Sequence, residues 1–582
     1  MMRVKIILTT LFALLICVHV CMALHVLITE ICPNPYGSDE CEYVALTNPL
    51  SYAVQLEGWQ LGDRHSTITL PEITLQPSQA VYLVKNVYAL DVTALKTSLG
   101  VVTLNNNGDI ISLLDEKGRL MDAVVYGNVP SDIYGWSGKS LKNPSEGVVL
   151  RRKSGSKGWV DSDSWRDWFP VAFEHRNKTI FSVKTFSFFG CVTAFVSPDC
   201  SFEAVSNEIK NCSDVVFLNV YEFESFPLAE LLAEAARRDV AVKVLLEGSP
   251  VGGLSDDALA IAEVIERSGG EVRLAKSCPK MFNHAKYAIF DNSVLVLSEN
   301  WKDVGIPVKT TSGCNRGWGV IIRNENVSSY FKERFLEDFR FGEPFSGGKA
   351  AVKVRVKGSV EKDVERKEMF EARTIFGNFE VKTFMAPENL LCDDDPILGM
   401  INSAEHRVYV EVFSVQSEFY GELNPYVAAL VSAARRGCEV KVLLDSREYN
   451  LEDSDDNDDV ATFLNEAAAA EGLNLEARLA NLEAMDFSKI HNKGVVADSS
   501  VLISSLNWNE GALDNREVGV VVTNAELADY FAEVFLHDWN VSGESAENVS
   551  SENKTKTAVG VVAALASAYV IFLVVRHLRY GW

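Results

Sequence analysis

The sequence predicts an α/β protein: a pseudo-twofold pair of α/β/α domains, preceded by a β-sandwich and followed by one transmembrane helix. Three observations carry this. A stretch of nineteen residues occurs twice, as NHAKYAIFDNSVLVLSENW at 283–301 and IHNKGVVADSSVLISSLNW at 490–508, with nine identities and no gap. Short β-type runs separated by Asn, Gly, Pro and Asp turns fill residues 24–170. An uncharged apolar run of eighteen residues, 558–575, is long enough to cross a bilayer.

The repeat sets the architecture. His284, Lys286, Asp291, Ser298, Asn300 and Trp301 recur 207 positions later as His491, Lys493, Asp498, Ser505, Asn507 and Trp508. KYAIF and KGVVA read as strands, a turn follows at the Asp, and VLVLS and VLISS return. Residues two apart on a strand share a face, so His and Lys of each H-x-K project together. One copy is half a site. Two facing copies supply two imidazoles and two ammoniums around one small anion, and a phosphodiester fits that description. One His attacks phosphorus, the other protonates the leaving oxygen, and the lysines hold the remaining oxygens.

These motifs resemble the phospholipase D superfamily, marked by two copies of H-x-K-x4-D followed by G-S-x-N. The likeness covers His284, Lys286 and Asp291, then His491, Lys493 and Asp498, with Ser298, Asn300, Ser505 and Asn507 downstream. The sequence departs from the pattern in two ways. Asp to Asn is one residue shorter in both copies, and the family Gly is Leu297 in one and Ser504 in the other. The resemblance implies a phosphohistidine intermediate and no cofactor or metal. A nucleophilic His works best with its second ring nitrogen held by a carboxylate. In the family that carboxylate often lies in N-x-E-x-G. Copy two has Asn515-Arg516-Glu517-Val518-Gly519, which makes Glu517 the expected partner of His491. Copy one has Gly317 at that position, leaving His284 to another partner such as Asp303 or a backbone carbonyl, or to none. This asymmetry favours His491 as nucleophile and His284 as acid. Asp291 and Asp498 read as turn-fixing residues.

Taken in order, residues 1–23 form a signal-peptide pattern, with Arg3 and Lys5 before an apolar core and Cys21-Met22-Ala23 at the cut. Residues 24–170 resemble the lamin-tail domain, an immunoglobulin-like sandwich. The points of likeness are Glu42-Tyr43-Val44, Gly58-Trp59 with Leu61, Asn107-Gly108-Asp109 and the closing VVLRRK…DSDSWRDW. The resemblance implies a binding or spacer role, with another surface component as partner. Alternating strands and helices then give copy one at 173–345 and copy two at 376–540, joined by a connector at 346–375. Ala-Ala-Arg-Arg recurs at an offset of 198, so copy two gained nine residues before its His motif. The acidic stretch 451–459 accounts for them. Asp453, Asp455 and Asn457 begin a calcium-loop spacing there, but Asp458 and Leu464 break it.

A polar stalk at 541–557, the span at 558–575 and a tail at 576–582 with Arg576 and Arg579 complete the chain. The basic tail places the catalytic body outside the cell. Sequons at Asn540, Asn548 and Asn553 cluster at the stalk and are candidates for N-glycans; others lie at Asn177, Asn211 and Asn326. Nine of eleven cysteines remain after the signal. Cys32–Cys41 and Cys191–Cys200 are the closest pairs, Cys278–Cys314 could tie the flanks of the first motif, and Cys438 is the expected odd thiol. The net charge of −25 does not advertise a nucleic-acid partner. Three readings follow. The first is an exported, membrane-anchored enzyme releasing phospholipid head groups, the second an extracellular nuclease, and the third a surface binding protein with a decayed core.

Overall fold

The computed structural model describes residues 25–130, 133–155, 157–175, 180–275, 281–346 and 368–543. The signal, most of the connector (347–367), most of the stalk and the apolar span lie outside them, and the end of the expected connector, from Arg373, is strand. Among the described residues no helix is long and apolar enough to cross a membrane.

The N-terminal domain is two layers, antiparallel except for the parallel edge pair Ala80–Val84 with Leu95–Ser98. One sheet orders the strands Trp168–Ala172, Val148–Arg152, Leu27–Asn34, Tyr43–Thr47, Ala80–Val84 and Leu95–Ser98; the other orders Leu120–Gly127, Gly108–Leu114, Gln60–Gly62 and Thr67–Thr69. Ile28, Val44, Leu61, Ile111 and Val124 fill the space between the sheets. A buried Arg152 bonds both oxygens of Asp122 at 2.7 and 2.8 Å and the Ile28 carbonyl at 2.8 Å, joining the two sheets.

The sandwich is fixed to copy two. A short hairpin, Glu418–Phe419 with Glu422–Leu423, presents Tyr420 to Trp165, and the rings stack at 4.4 Å. Arg166 bonds Glu422 at 2.8 Å, and Lys142 reaches Glu510 at 3.0 Å.

The catalytic body is one sixteen-stranded sheet. Its centre is an antiparallel pair, Lys184–Ser197 with Arg373–Met385, in register from Lys184↔Thr383 to Ala194↔Arg373. Each half builds outward from it in the same way. In copy one, Val215–Val220, Ala241–Glu247 and Glu271–Ala275 run parallel, with helices Phe226–Arg237 and Asp256–Arg267 between them. In copy two the parallel strands are Arg407–Val412, Glu439–Leu444 and Leu475–Leu479. These strands are apolar runs because both faces are covered. A hairpin and a returning strand close each half: Tyr287–Phe290, Ser293–Leu297 and Cys314–Arg323, then Lys493–Ala497, Ser500–Ser504 and Val518–Thr523.

The motif aspartates make the hairpin turns. Asp291 and Asp498 have φ of 48° and 49°. The Asp291 carboxylate accepts from the backbone of Ser213, Asp214 and Val215, and that of Asp498 from Glu405, His406 and Arg407. Each therefore ties the hairpin to the start of the first parallel strand.

Several expectations are corrected. The strands begin at Tyr287 and Lys493, so both histidines stand in the extended approach before the strand, not inside it. Cys41 is a free thiol donating to the Ala89 carbonyl, so no Cys32–Cys41 bridge forms. Cys191 and Cys200 are free as well, held apart by the rest of the strand to Ser197. Cys278 lies outside the described residues, and Cys438 is free but is not the only such thiol. The final helix, Ala525–Gly543, takes Asn540 and the first three residues expected of the stalk. In the acidic stretch, Asp455 accepts from the Ser417 and Glu418 backbone and braces a loop.

Candidate functional site

The two halves exchange backbone contacts at their motifs. The His284 amide donates to the Arg316 counterpart in the other half, the Arg516 carbonyl, at 2.9 Å; the His491 amide donates to the Arg316 carbonyl at 2.8 Å. Phe282 N donates to Asn515 Oδ1 at 2.9 Å. Parallel bridges Asn283↔Arg516 and Arg316↔Ile490 carry the exchange. Both arginines then clamp across the halves. Arg316 bonds Asp538 at 2.8 Å and Asp199 at 2.9 Å, and Arg516 bonds Glu388 at 2.7 Å and Asp338 at 3.3 Å.

The crossing decides which carboxylate meets which imidazole. Glu517 does not meet His491; it sits on His284, with Nδ1 at 2.8 and 2.9 Å from its two oxygens. Strand exchange sets the residues after Asn515 against the other half's motif. Ser505 Oγ at 2.5 Å and Asn515 Nδ2 at 3.3 Å also donate to Glu517, so three donors fix it.

His491 has a partner that the sequence reading missed. Glu299 Oε2 stands 3.3 Å from its Nδ1, and the angle does not make a hydrogen bond. Asn315 Nδ2 donates to the same carboxylate at 3.1 Å. The antiparallel register Leu297↔Gly319, continued by two residues, sets 299 opposite 317. Ser504↔Gly519 likewise sets Leu506 opposite Glu517. Copy two thus pairs Leu with Glu, and copy one pairs Glu with Gly. The carboxylate has moved to the facing strand. Gly317 makes room for it, since a Cβ there would meet Glu299 Cγ at 2.6 Å. A signal was present in the sequence: within the aligned repeat, a carboxylate at 299 faces Leu506 just where copy one lacks its Glu.

The lysines fold back onto the histidine carbonyls, Lys286 Nζ to His284 O at 2.7 Å and Lys493 Nζ to His491 O at 2.6 Å. Tyr221 packs edge-on against His284 at 4.9 Å and Phe413 against His491 at 5.0 Å, fixing the rings. Ser298 and Ser505 accept from the backbone of Trp318 and Val518 at 3.1 and 3.0 Å, and so brace the carboxylate strands. Asn300 donates to Glu222 at 2.7 Å. The Oδ1 atoms of Asn300 and Asn507 are buried without a partner.

Charge in the site is strained by burial. Burial pushes His284 down, with Lys286 and Lys493 adding to it against Glu517. Burial pushes His491 well below the usual imidazole range, and Lys493, Lys489, Lys286 and His284 add to it. Burial lowers Lys286 to about 8, and burial with the nearby Lys286 charge holds Lys493 well below the usual ammonium range. Burial raises Glu299 to about 7. These mutual effects place both His-Lys sets around one centre. An anion bound there relieves the crowded positive charge. Two ammoniums at the centre disfavour a divalent cation. Among the described residues, the one grouping with metal-ligand spacing is Asp122, Asp161 and Asp163 in the sandwich, where Arg152 already binds two of the three.

Residues 205–339 and 397–539 match the domain family described as cardiolipin synthase, PLD-like domain, and residues 23–128 match the lamin tail domain. The chain belongs to the phospholipase D superfamily. As a superfamily member it is a phosphodiesterase. No curated protein matches the chain. Among solved structures, Nuc from Salmonella typhimurium, a phospholipase D family member, shares 21% identity over 28% of this chain and 99% of its own, with a TM-score of 0.24. A phosphatidylserine synthase from Haemophilus influenzae shares 14% over 61% of this chain and 88% of its own, at 0.43. Membership rests on the domain family and the site, not on these two likenesses.

Proposed function

We propose that the chain is an exported, membrane-anchored phosphodiesterase that releases phospholipid head groups through a phosphohistidine on His284. The observation that carries this is the unequal support of two equivalent histidines. Glu517 holds Nδ1 of His284 by two short contacts, which presents the Nε2 lone pair to phosphorus. The same carboxylate stabilises the positive ring that attack creates. This reverses the roles expected when Glu517 was assigned to His491. Glu299, raised to about 7 by burial, stands 3.3 Å from His491 Nδ1 without a hydrogen bond, which leaves His491 the less supported ring and the one given the acid role.

In the first step His284 Nε2 bonds phosphorus while the phosphorus–alcohol bond breaks, and His491 gives its proton to the departing oxygen. Lys286 and Lys493 hold the non-bridging oxygens. In the second step His491 takes a proton from water, the oxygen bonds phosphorus and the phosphorus–nitrogen bond breaks. An alcohol in place of water gives transfer.

The signal pattern at 1–23 and the apolar run at 558–575 support export and anchoring, and an anchored body meets lipid directly. A nuclease is the second reading. Exposed Tyr449, packed on Phe413 at 6.0 Å beside Lys489, offers a ring and a cation as a base and its phosphate require.

Full-length protein in detergent should be given phospholipid vesicles and, separately, single- and double-stranded DNA. Head-group release is expected; DNA cleavage without it would install the nuclease. Protease added to intact cells should free the catalytic body by cutting within 544–557. A protected body would overturn the topology. Rapid quench and mass spectrometry should find the phosphoryl adduct on His284, and an adduct on His491 would refute the assignment.

A further inference from the structure

Two loops at the mouth of the site, both in copy one, are apolar at their tips. The first, 248–254, follows the strand Ala241–Glu247, where Glu247 Oε2 accepts from the Asn283 amide beside His284 at 2.6 Å. It turns at Pro250-Val251-Gly252-Gly253, closed by Gly253 N on the Pro250 carbonyl at 2.8 Å, with φ of 88° and 81° at the glycines. The Val251 amide donates to Tyr221 Oη at 2.8 Å, and that ring packs on His284. The second loop, 303–308, follows Trp301. Its Val304 carbonyl accepts at 2.8 Å from the amide of Asn315, the residue that holds Glu299. Glu224 staples the two loops: Ser255 Oγ donates to one oxygen at 2.7 Å, and Lys302 Nζ stands 2.9 Å from the other.

No charged residue lies between Gly248 and Leu254 or between Val304 and Val308. Val251 is 78% exposed, Val304 44% and Val308 54%. A turn facing water favours Asn, Asp, Ser, Gly or Pro. Three exposed valines on two stapled loops instead mark a contact surface. The aligned positions of copy two are charged. Arg447 and Glu448 follow the corresponding strand, and Glu510 and Asp514 are held by Lys142 of the sandwich at 3.0 and 3.6 Å. The end of the chain points the same way. The last helix carries Asp538 to Arg316, whose carbonyl takes the His491 amide, and Arg478 donates to the Trp539 carbonyl at 3.2 Å. The helix therefore finishes at the site's end of the body, and residues 544–557 reach at most about 50 Å from it to the apolar run.

We propose that Val251, Val304 and Val308 enter the surface of a lipid monolayer and seat the mouth of the site on it. This rests on the phospholipid reading of the site and on the anchor at 558–575. Uncharged tips enter the head-group layer without desolvating a charge. A chain of net charge −25 gains nothing from an anionic surface, so the docking works by apolar contact and needs no acidic lipid.

The test places the full-length protein in phosphatidylcholine vesicles, with a benzophenone amino acid at Val251 or, as control, at Phe189. Phe189 is equally exposed at 78%, but it stands two residues from Cys191, which pairs with Arg323 at the end of its strand away from Asn315. Irradiation should attach lipid at 251 in excess over 189. Equal attachment, or none at 251, would refute the docking. Val251→Asp, Val304→Asp and Val308→Asp combined should lower choline release from the vesicles about tenfold or more, and leave release from soluble dibutyryl phosphatidylcholine within about twofold. Val251→Trp should raise release from vesicles, so misfolding of the triple variant leaves a second arm decisive. Equal changes on both substrates would refute the proposal. Attachment is read without turnover, so lipid found at 251 without choline release would uphold the docking and overturn the phospholipid reading alone.

Discussion

His284 stands 2.8 Å from a carboxylate rooted in the other half, and three donors hold that carboxylate still. His491, its counterpart in the repeat, stands 3.3 Å from Glu299, without the angle of a bond. Both carboxylates reach across the pseudo-twofold, but from opposite strands of their hairpins. A catalytic carboxylate is specified by where its oxygens arrive. Its backbone position can change to the facing strand if the opposite residue gives up its side chain. Gly317 does this for Glu299. The repeat therefore keeps two histidines in place and makes them unequal.

The largest effect should separate the histidines. With an alkyl leaving group, His284→Ala and His491→Ala should each cost on the order of 10³-fold or more, because both act on one phosphate. With a 4-nitrophenyl diester the leaving oxygen needs no proton. His491→Ala should then give a burst of nitrophenolate and a stalled phosphoenzyme, and His284→Ala should give neither. A burst from His284→Ala would equalise the halves.

The carboxylates come next. Glu517→Gln keeps shape and removes charge beside the nucleophile, and should lower kcat by about 10²-fold or more. Glu299→Gln should cost about tenfold. The order of the two losses, measured on one lipid substrate, checks the assignment; the reverse order would make His491 the nucleophile.

The repeat, the paired His-Lys sets, the Asp turns and the two-layer N-terminal domain were legible in the sequence. Each is local, or repeats at one offset. The crossing was not, since Glu517 and His284 lie 233 residues apart and meet only through Asn283↔Arg516. A search within each half assigns Glu517 to the wrong histidine. Glu299 was visible as a mismatch to Leu506, but its meaning depends on the cross-strand position of Gly317.

Exchanging the two residues of copy one should test that dependence. Gly317→Glu alone forces a Cβ to 2.6 Å from Glu299 Cγ and brings two carboxylates together. It should cost roughly 1–3 kcal/mol of stability or more. Adding Glu299→Leu copies the Leu506–Glu517 pair and should recover most of the melting temperature and some activity. If the double variant is no better than Gly317→Glu, the halves are not interchangeable at this point.

The smallest effect is a stability difference with a defined pH window. Glu299 is raised from 4.5 to about 7 by burial. The native state then binds its proton more tightly than the unfolded chain between those values. Stability therefore falls as pH rises through the window, and the full cost is present above about pH 7. Glu299→Gln carries no such cost. The variant and wild type should have similar stabilities near pH 4.5. At pH 8 the variant should be the more stable, by at most about 3.4 kcal/mol, or a few degrees in Tm. Glu42, also raised to about 7, titrates in both proteins and cancels in the difference. Thermal unfolding of the pair at pH 5, 6, 7 and 8 measures it. A difference that stays flat with pH would show Glu299 ionised throughout, which would give both histidines the same kind of support and remove the basis for unequal roles.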